Sequence, residues 1–529
     1  MHAGGFTCLA AFCAALIGSG GCDHGAAASN PEALPQPTTH VVIFLIDTLR
    51  ADKVRCYGYD KPTSPTIDAL ASEGVLFRNA QAPAPWTCPS VPSIMTSTFL
   101  CEHGVTSELK KLSPQIKTIA ERFKQIDYHT ASFFTNTFAG ETTGMDRGFD
   151  TARFNPNGQW YVDGAVIDQW AGDKPDGPFF LYVHNIEPHN PFQAPPRLAR
   201  QFGDSQTEQA RQTIGQMISM YRPMLRPDWG NKGPIRPLGT TDNEAKLSRI
   251  VAQLDKLLAQ HHALYDAVVR QADERLASVI ASLKKTGEWD NTLFIVLSDH
   301  GEELSERGDY LHSQSVYGEL TNVPLIVKFP KNQYAGTVVN EVVALVDVVP
   351  TVFDYLKRPD LADGARGQSL MPMIRGELPQ PHEFVVTTLR INEKKDRKHW
   401  APRGNINVAV QTRDGQWKGI WNVEKDTFEL YNRAADSVEA FNQCGEQSGM
   451  TDAMFAFVKE WYETCGRSAK TAGEGQLSAE ALDALGALGY VGGEVENDDS
   501  DPSEDPATDE PAARIVETVA DPCPVPVGD

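Results

Sequence analysis

The chain has 529 residues, 41% of them hydrophobic and 22% charged, ordinary globular values that exclude a collagenous, coiled-coil or wholly disordered polypeptide. Its net charge of −22 is unevenly spread, because residues 494–529 hold twelve Asp or Glu against Arg514 alone, half of the total. Neither the mildly acidic body nor this tail carries the Lys and Arg excess that a phosphate backbone demands, which argues against nucleic-acid binding.

From the N-terminus, Phe6 to Ile17 is a twelve-residue apolar stretch, too short to span a bilayer and of the size of a signal-peptide core. The small residues Gly18-Ser19-Gly20-Gly21 then precede Cys22, an order that resembles a bacterial lipoprotein cleavage site. The expectation is a leader over 1–22 and an exported protein, periplasmic or on the outer surface, that meets a membrane only through a lipid on Cys22. Residues 23–39, rich in Ala, Pro and Ser, read as a linker. Cys8, Cys13 and Cys22 belong to the leader and six cysteines remain, too few for a disulfide framework. Cys444 and Cys465 flank a short helical pattern and could pair in an oxidising compartment.

Val41–Ile46 is a continuous apolar run between polar residues, as in a strand buried on both faces of a parallel sheet. Similar runs follow at His129–Phe134, Phe179–Val183 and Leu293–Leu297, separated by helical patterns at Ile67–Leu76, Ile116–Phe123 and Ala263–Leu283. This alternation predicts an α/β domain over 40–379, a large mostly parallel sheet between helices. Residues 197–250, rich in Pro and Arg, read as an insertion over the sheet or a solvated loop. From about 380 the pattern changes to short strands at Phe384–Thr388, Val408–Thr412 and Trp417–Trp421 and a late helix, predicting a smaller α+β subdomain to residue 493. The acidic, Pro-rich residues 494–529 read as disordered.

Ligands of such sheets bind where strands end at their carboxyl edge. The polar residues there are Asp47, Asn136, His184 and the pair Asp299-His300. Strand termination alone explains some polarity, but this choice of residues also suits a metal: Asp47, Asp299 and His300 offer the carboxylate oxygens and imidazole that a hard or borderline divalent cation takes. Thr87, just ahead of Pro89-Ser90 and a helical run to Ser97, reads either as an N-cap or as a nucleophile beside that metal.

Taken together, IDTLRAD (46–52), CYGY (56–59), SPTIDALASEGVLF (64–77), WTCPSVPSIMTS (86–97), EPHNPF (187–192), SDHGEEL (298–304) and FELYNRAADSVEAFN (428–442) resemble, in order, the sulfatase family of the alkaline-phosphatase-like superfamily. The resemblance implies hydrolysis or transfer of sulfate or phosphate esters at a metal-bound nucleophile. In the family's Cys/Ser-x-Pro-x-Arg motif the register of Pro89 places Thr87 at the nucleophile and Val91 at the arginine, with Cys88 one position too late for conversion to formylglycine. An unmodified threonine is similar to the phosphoryl-transferring branches. By the same resemblance His189 and His312 contact the transferred group or protonate the leaving oxygen, and Asn136 stands where many sulfatases carry lysine.

By the same resemblance a second metal of the alkaline-phosphatase kind would want aspartate where Asn185 stands, so one divalent ion is expected, calcium, magnesium or manganese ahead of zinc. Glu302 and Glu303 read as helix-start carboxylates. The expected substrate is a small-molecule or glycan ester, with Asn136 and His184 expected to bind it. Two other functions stay open: a transferase that passes a phosphoryl group from Thr87 to a glycan or lipid, and a catalytically impaired binding protein.

Overall fold

The computed structural model describes residues 36–156, 158–203, 225–226, 236–237, 244–307, 310–377, 384–390, 406–467, 472–474, 478–487 and 523–524. The leader and Cys22, most of the linker, much of 197–250 and all of the acidic tail except Cys523-Pro524 lie outside the described residues.

Eight strands build the large sheet: β1 (His40–Ile46), β2 (Val75–Gln81), β3 (His129–Phe134), β4 (Thr151–Phe154), β5 (Phe179–Asn185), β6 (Thr292–Leu297), β9 (Asn322–Lys328) and β10 (Thr337–Ala344). Between β6 and β9 lies a small hairpin of β7 (Glu303–Leu304) and β8 (Tyr310–Leu311). The spatial order is β10-β2-β9-β6-β1-β5-β3-β4. Only β9 runs against its neighbours; the other pairings are parallel. The continuous apolar runs of β1 and β6 follow from this position, since both faces are covered.

Alternate residues of β1 enter different cores. Val41, Ile43 and Leu45 pack with Val91, Phe123 and Val349 from α2 (Thr87–Thr96), α3 (Ile119–Lys124) and α6 (Val348–Tyr355). Val42, Phe44 and Ile46 pack with Leu70, Ile167 and Leu276 from α1 (Pro65–Glu73), α4 (Gly164–Asp173) and α5 (Glu244–Lys285). The fold class expected from alternation is the one observed.

The structure departs from the sequence expectation in several places, and the helix expected over Ile116–Phe123 runs from Ile119 to Lys124. The helix expected over Ile67–Leu76 stops at Glu73, and Val75-Leu76 open β2. Gly74 makes this break because a Cβ there would lie 2.4 Å from the Val327 carbonyl oxygen, so the chain can pass β9 only without a side chain. The strands β2, β9 and β10 stand apart from the expected runs because Arg78-Asn79 interrupt the apolar residues of β2, Pro324 those of β9 and Asn340-Glu341 those of β10. Residues 244–250, expected within a loop or insertion, are helical, the first turns of α5.

The second sheet is wholly antiparallel, in the order β11-β12-β13-β14-β15. Its strands are β11 (Phe384–Arg390), β12 (Ile406–Thr412), β13 (Trp417–Asn422), β14 (Thr427–Asn432) and β15 (Cys523–Pro524). The helix α7 (Ser448–Arg467) covers one face, with Met454, Phe455 and Val458 against Val408, Trp421 and Phe428. Two disulfides correct the expected pairing of Cys444 with Cys465: Cys444 is bonded to Cys523, and Cys465 to Cys101 in the short helix Leu100–His103. Disorder of the whole tail is likewise corrected at its end, where Cys523 pairs with Phe428 of β14. Among the described residues no helix is long and apolar enough to cross a membrane.

Candidate active site

At the carboxyl edge of the large sheet, Asp47 follows β1, Asn136 lies two residues beyond β3, His184 is at the end of β5, and Asp299 and His300 follow β6. Adjacent parallel strands thus deliver residues from four distant stretches of sequence to one place. Asp47, Asp299 and His300 each offer a ligand atom within 4.8 Å of the others, and all three are buried.

Thr87 is the first residue of α2. Trp86, not Thr87, occupies the N-cap position, so the capping alternative does not hold. Pro89 falls in the first turn, where a missing N–H costs no intrahelical bond. The Ser90 hydroxyl donates to the Asp299 carbonyl at 2.7 Å, which ties this helix start to the end of β6. The Thr87 hydroxyl oxygen is 3.1 Å from His300 Nε2 and 3.3 and 3.4 Å from the two Asp47 carboxylate oxygens. Cys88 points the other way, fully buried among Val91, Ile94 and other core residues, and Val91 is core as well.

Asp47 is held from several sides. Asn136 Nδ2 donates to its Oδ2 at 2.7 Å and His184 Nε2 approaches the same oxygen at 3.1 Å. Tyr182 OH lies 3.0 Å from His184 Nδ1, an arrangement that places the imidazole proton on Nε2, towards Asp47. Asn136 also accepts from Phe138 N and donates to Thr87 Oγ1. Asn136 and His184, expected to bind substrate, are therefore engaged with the carboxylate and the hydroxyl of the site. Burial alone would raise the Asp47 pKa, but the His184 hydrogen bond and the neighbouring imidazoles hold it below the usual carboxylate range.

The turn after Asp47 is strained and braced. Thr48, a β-branched residue, has φ +57°, a conformation that persists only where its surroundings enforce it. Tyr265 of α5 donates to the Thr48 carbonyl at 2.7 Å and accepts from Arg50 N, while Leu49 N donates to Ser298 Oγ. Neither Tyr265 nor Ser298 carries a sequence signal of this role, because the bracing depends on a contact across more than two hundred residues.

Asp299 is the opposite case. Both its carboxylate oxygens are buried with no partner at full hydrogen-bond geometry, and burial first, then the Asp47 charge, push its pKa well above the usual range against a weaker pull from Thr87 and the nearby backbone. His300 donates from Nδ1 to the Gly301 carbonyl at 2.8 Å, which leaves the Nε2 lone pair facing Thr87, 3.5 Å from both carboxylates. Burial, reinforced by His312, keeps this imidazole uncharged. Two carboxylates and a neutral imidazole with its lone pair inward, one carboxylate lacking any donor, are a donor set that fits a divalent cation.

His189 and His312 complete the ring of polar groups, with ring centroids 4.9 Å apart, and His312 lies 4.6 Å from His300. His312 Nδ1 is 2.9 Å from Glu302 Oε1, and burial pushes that carboxyl up to about 8. Glu302 and Glu303 are not helix-start residues: they lie in the loop and strand entering the β7–β8 hairpin, and Ser315 Oγ donates to Glu303. Asn185 donates to and accepts from the backbone of Val162, and so clamps the loop ahead of α4.

The family model described as Sulfatase matches residues 39–357. An N-acetylglucosamine-6-O-sulfatase of Bacteroides thetaiotaomicron is 22% identical over 485 residues, 80% of this chain and 85% of that protein. Among solved structures, the phosphonate monoester hydrolase of Agrobacterium radiobacter superposes with a TM-score of 0.60 at 20% identity, over 80% of this chain and 94% of that one. A protein solved in complex with its substrate D-glucosamine-2-N,6-O-disulfate gives 0.63 at 20% identity, over 82% of this chain and all of its own.

Proposed function

The chain belongs to the sulfatase family of ester hydrolases, and we propose that it cleaves a phosphate, phosphonate or sulfate ester with unmodified Thr87 as nucleophile and one divalent cation held by Asp47, Asp299 and His300. The observation that carries this reading is the position of the Thr87 hydroxyl, 3.1 Å from an imidazole lone pair and beside Asp47, next to the unsatisfied Asp299. When bound, such a cation supplies positive charge that favours the alkoxide of a nearby hydroxyl and the oxyanions of the ester.

The chain's own residues supply the rest. Thr87 Oγ, its proton released to solvent, attacks the central phosphorus or sulfur, forming a bond to it as the bond to the leaving oxygen breaks. His189 or His312 gives that oxygen a proton. Water then attacks the same central atom and gives a proton back to that histidine, the bond to Thr87 Oγ breaks, and the threonine oxygen takes a proton from solvent. A formylglycine hydrate could shed its ester by collapsing to the aldehyde, a route closed to threonine. Release by a second attack favours phosphorus over a hindered sulfate sulfur, so phosphate or phosphonate esters should turn over faster than sulfate esters. The substrate reading is a small-molecule or glycan ester.

Export through a leader over 1–22, with a lipid on Cys22, belongs to the same proposal. Two disulfides support an oxidising compartment, since structural disulfides are rare in the reducing cytosol. The chemistry is tested by a metal-titrated assay on aryl sulfate, phosphate monoester, phosphate diester and phosphonate substrates. Thr87→Ala is expected to lose activity by several orders of magnitude, roughly as removal of other activated nucleophiles does. Unchanged turnover in that variant, or an aldehyde found at residue 88 by peptide mass spectrometry, overturns the assignment.

A further inference from the structure

The loop that presents His312 is closed at its base and seated on the second sheet. On the N-terminal side of the loop, the Arg307 guanidinium lies 3.6 Å above the Tyr317 ring and 3.4 Å from both carboxylate oxygens of Glu319. The same guanidinium donates to the carbonyls of Val438 and Glu439, just beyond β14. On the C-terminal side, Lys418 of β13 donates to the Val316 carbonyl at 2.7 Å and to Thr321 Oγ1 at 3.3 Å. Glu439 accepts from Gly318 N and from Lys418 Nζ, with Arg433 also bonded to it. Val316 itself packs against Leu389, Ile420 and Tyr431 of three strands of that sheet.

Arg307 and the stretch from Val316 to Glu319 are thus gripped by one cluster of buried charge, and His312 lies between them in the chain. Glu439 and Lys418 are almost fully buried, at 0% and 2% side-chain exposure. Burying a lysine and a carboxylate is costly unless both are paired, and it achieves little beyond what apolar side chains of the same volume could do for stability. What a paired buried charge does give is a fixed geometry.

We propose that the Lys418–Glu439–Arg307 cluster is the positioning element for His312, so that the second sheet sets where the leaving-group imidazole stands over Thr87. The inference rests on the role given to His312 under Proposed function. It goes beyond that role by assigning a catalytic contribution to a subdomain that holds none of the reacting residues. These are positioning residues, since none of them touches the ester.

The test uses the full-length protein and two aryl esters of whichever class is turned over, one with a 4-nitrophenyl leaving group and one with phenyl, which needs protonation far more. Glu439→Gln, and the pair Lys418→Met/Glu439→Gln as a second variant that removes one charge of each sign and keeps an amide oxygen as acceptor for Arg433, are compared with His312→Ala. The expected result is a loss of roughly 10- to 100-fold in kcat on the phenyl ester, the range for a misplaced catalytic group, with little loss on the 4-nitrophenyl ester and KM within a few-fold. Adding Glu439→Gln to His312→Ala should cause no further loss on the phenyl ester. A steep leaving-group dependence in His312→Ala with equal losses on both esters in the cluster variants overturns this inference and leaves the role of His312 standing. A flat dependence in His312→Ala itself removes that role, and the inference with it.

Discussion

At the carboxyl edge of the large sheet Asp299 keeps two buried carboxylate oxygens without a hydrogen bond, whereas at the face of the second sheet both oxygens of Glu439 and the ammonium of Lys418 are bonded. Each cluster is buried, and each draws its members from distant parts of the chain. They differ in what has been left undone. A satisfied cluster specifies the geometry of the folded chain, while an unsatisfied one holds its geometry for something that arrives later. The bracing around Asp47 bears this out, because Tyr265, Ser298, Asn136 and His184 fix the unsatisfied site by completing the bonds of its neighbours.

This contrast predicts opposite consequences of mutation. Asp299→Asn should lower kcat/KM by about a thousandfold or more, as loss of a group acting in the transition state does, while leaving the urea midpoint unchanged or raised. The substitution removes a buried carboxylate that faces Asp47 with no donor at full hydrogen-bond geometry. Substantial unfolding of Asp299→Asn would show that its charge is structural. Lys418→Ala should do the reverse in stability, costing about 3–5 kcal/mol because Glu439 is left buried with one cation fewer. A Lys418→Ala protein as stable as the parent would erase the distinction between the clusters.

Cation binding sharpens the comparison further. A divalent ion that binds only the folded state stabilises it by about 2.7 kcal/mol at one hundred times its dissociation constant. Manganese or calcium is therefore expected to raise the melting temperature of the native protein and of His312→Ala, and not that of Asp299→Asn. Equal shifts in all three proteins would place the ion elsewhere. For the second sheet the corresponding restraint is covalent: Cys444→Ser/Cys523→Ser should cost about 2–4 kcal/mol and release the end of the tail from β14, while hydrolysis at saturating substrate persists.

How much of this was legible in the sequence follows from the range of each interaction. The strand ends were readable, because a buried parallel strand is a continuous apolar run and the residue that ends it is the residue presented at the ligand edge. Thus Asp47, Asp299 and His300 stand together as their places at strand ends suggest, while Thr87, which by itself also reads as an N-cap, joins them where the resemblance to the sulfatase motif puts it. The strand β9 was not readable although Val323–Val327 is a continuous apolar run, because Pro324 within it reads against a central strand. Glu302, expected as a helix-start carboxylate, instead meets His312, because which way a polar side chain turns beyond a strand end depends on its neighbours in space. The pairing of Cys444 with Cys523 and of Cys465 with Cys101 is equally non-local, and proximity in sequence pointed to the wrong partner.

Glu187 falls between the two clusters and provides the smallest test. It lies two residues before His189; Gln271 donates to its Oε1, and Arg275 Nε is 3.6 Å from its Oε2, too far for a full hydrogen bond. The Arg275 guanidinium is also spread over the Tyr161 ring, 3.4 Å from its centroid, so its charge is only partly directed at the carboxylate. Burial therefore outweighs the attraction and pushes the Glu187 carboxyl up to about 7 from an ordinary 4.5. A carboxyl whose pKa is raised on folding contributes stability that is fully present below the unfolded value and is lost as pH rises through the folded one. The window is thus about pH 4.5 to 7, and across it the folded state binds more protons than the unfolded. Glu187→Gln keeps the shape and removes the titration, so its stability relative to the parent should grow by about 1–2 kcal/mol between pH 5 and pH 8, somewhat less than the full linkage because water can reach part of the group. Urea midpoints of the two proteins measured across that range decide it: curves that stay parallel would mean that Arg275 satisfies Glu187 as completely as Lys418 satisfies Glu439.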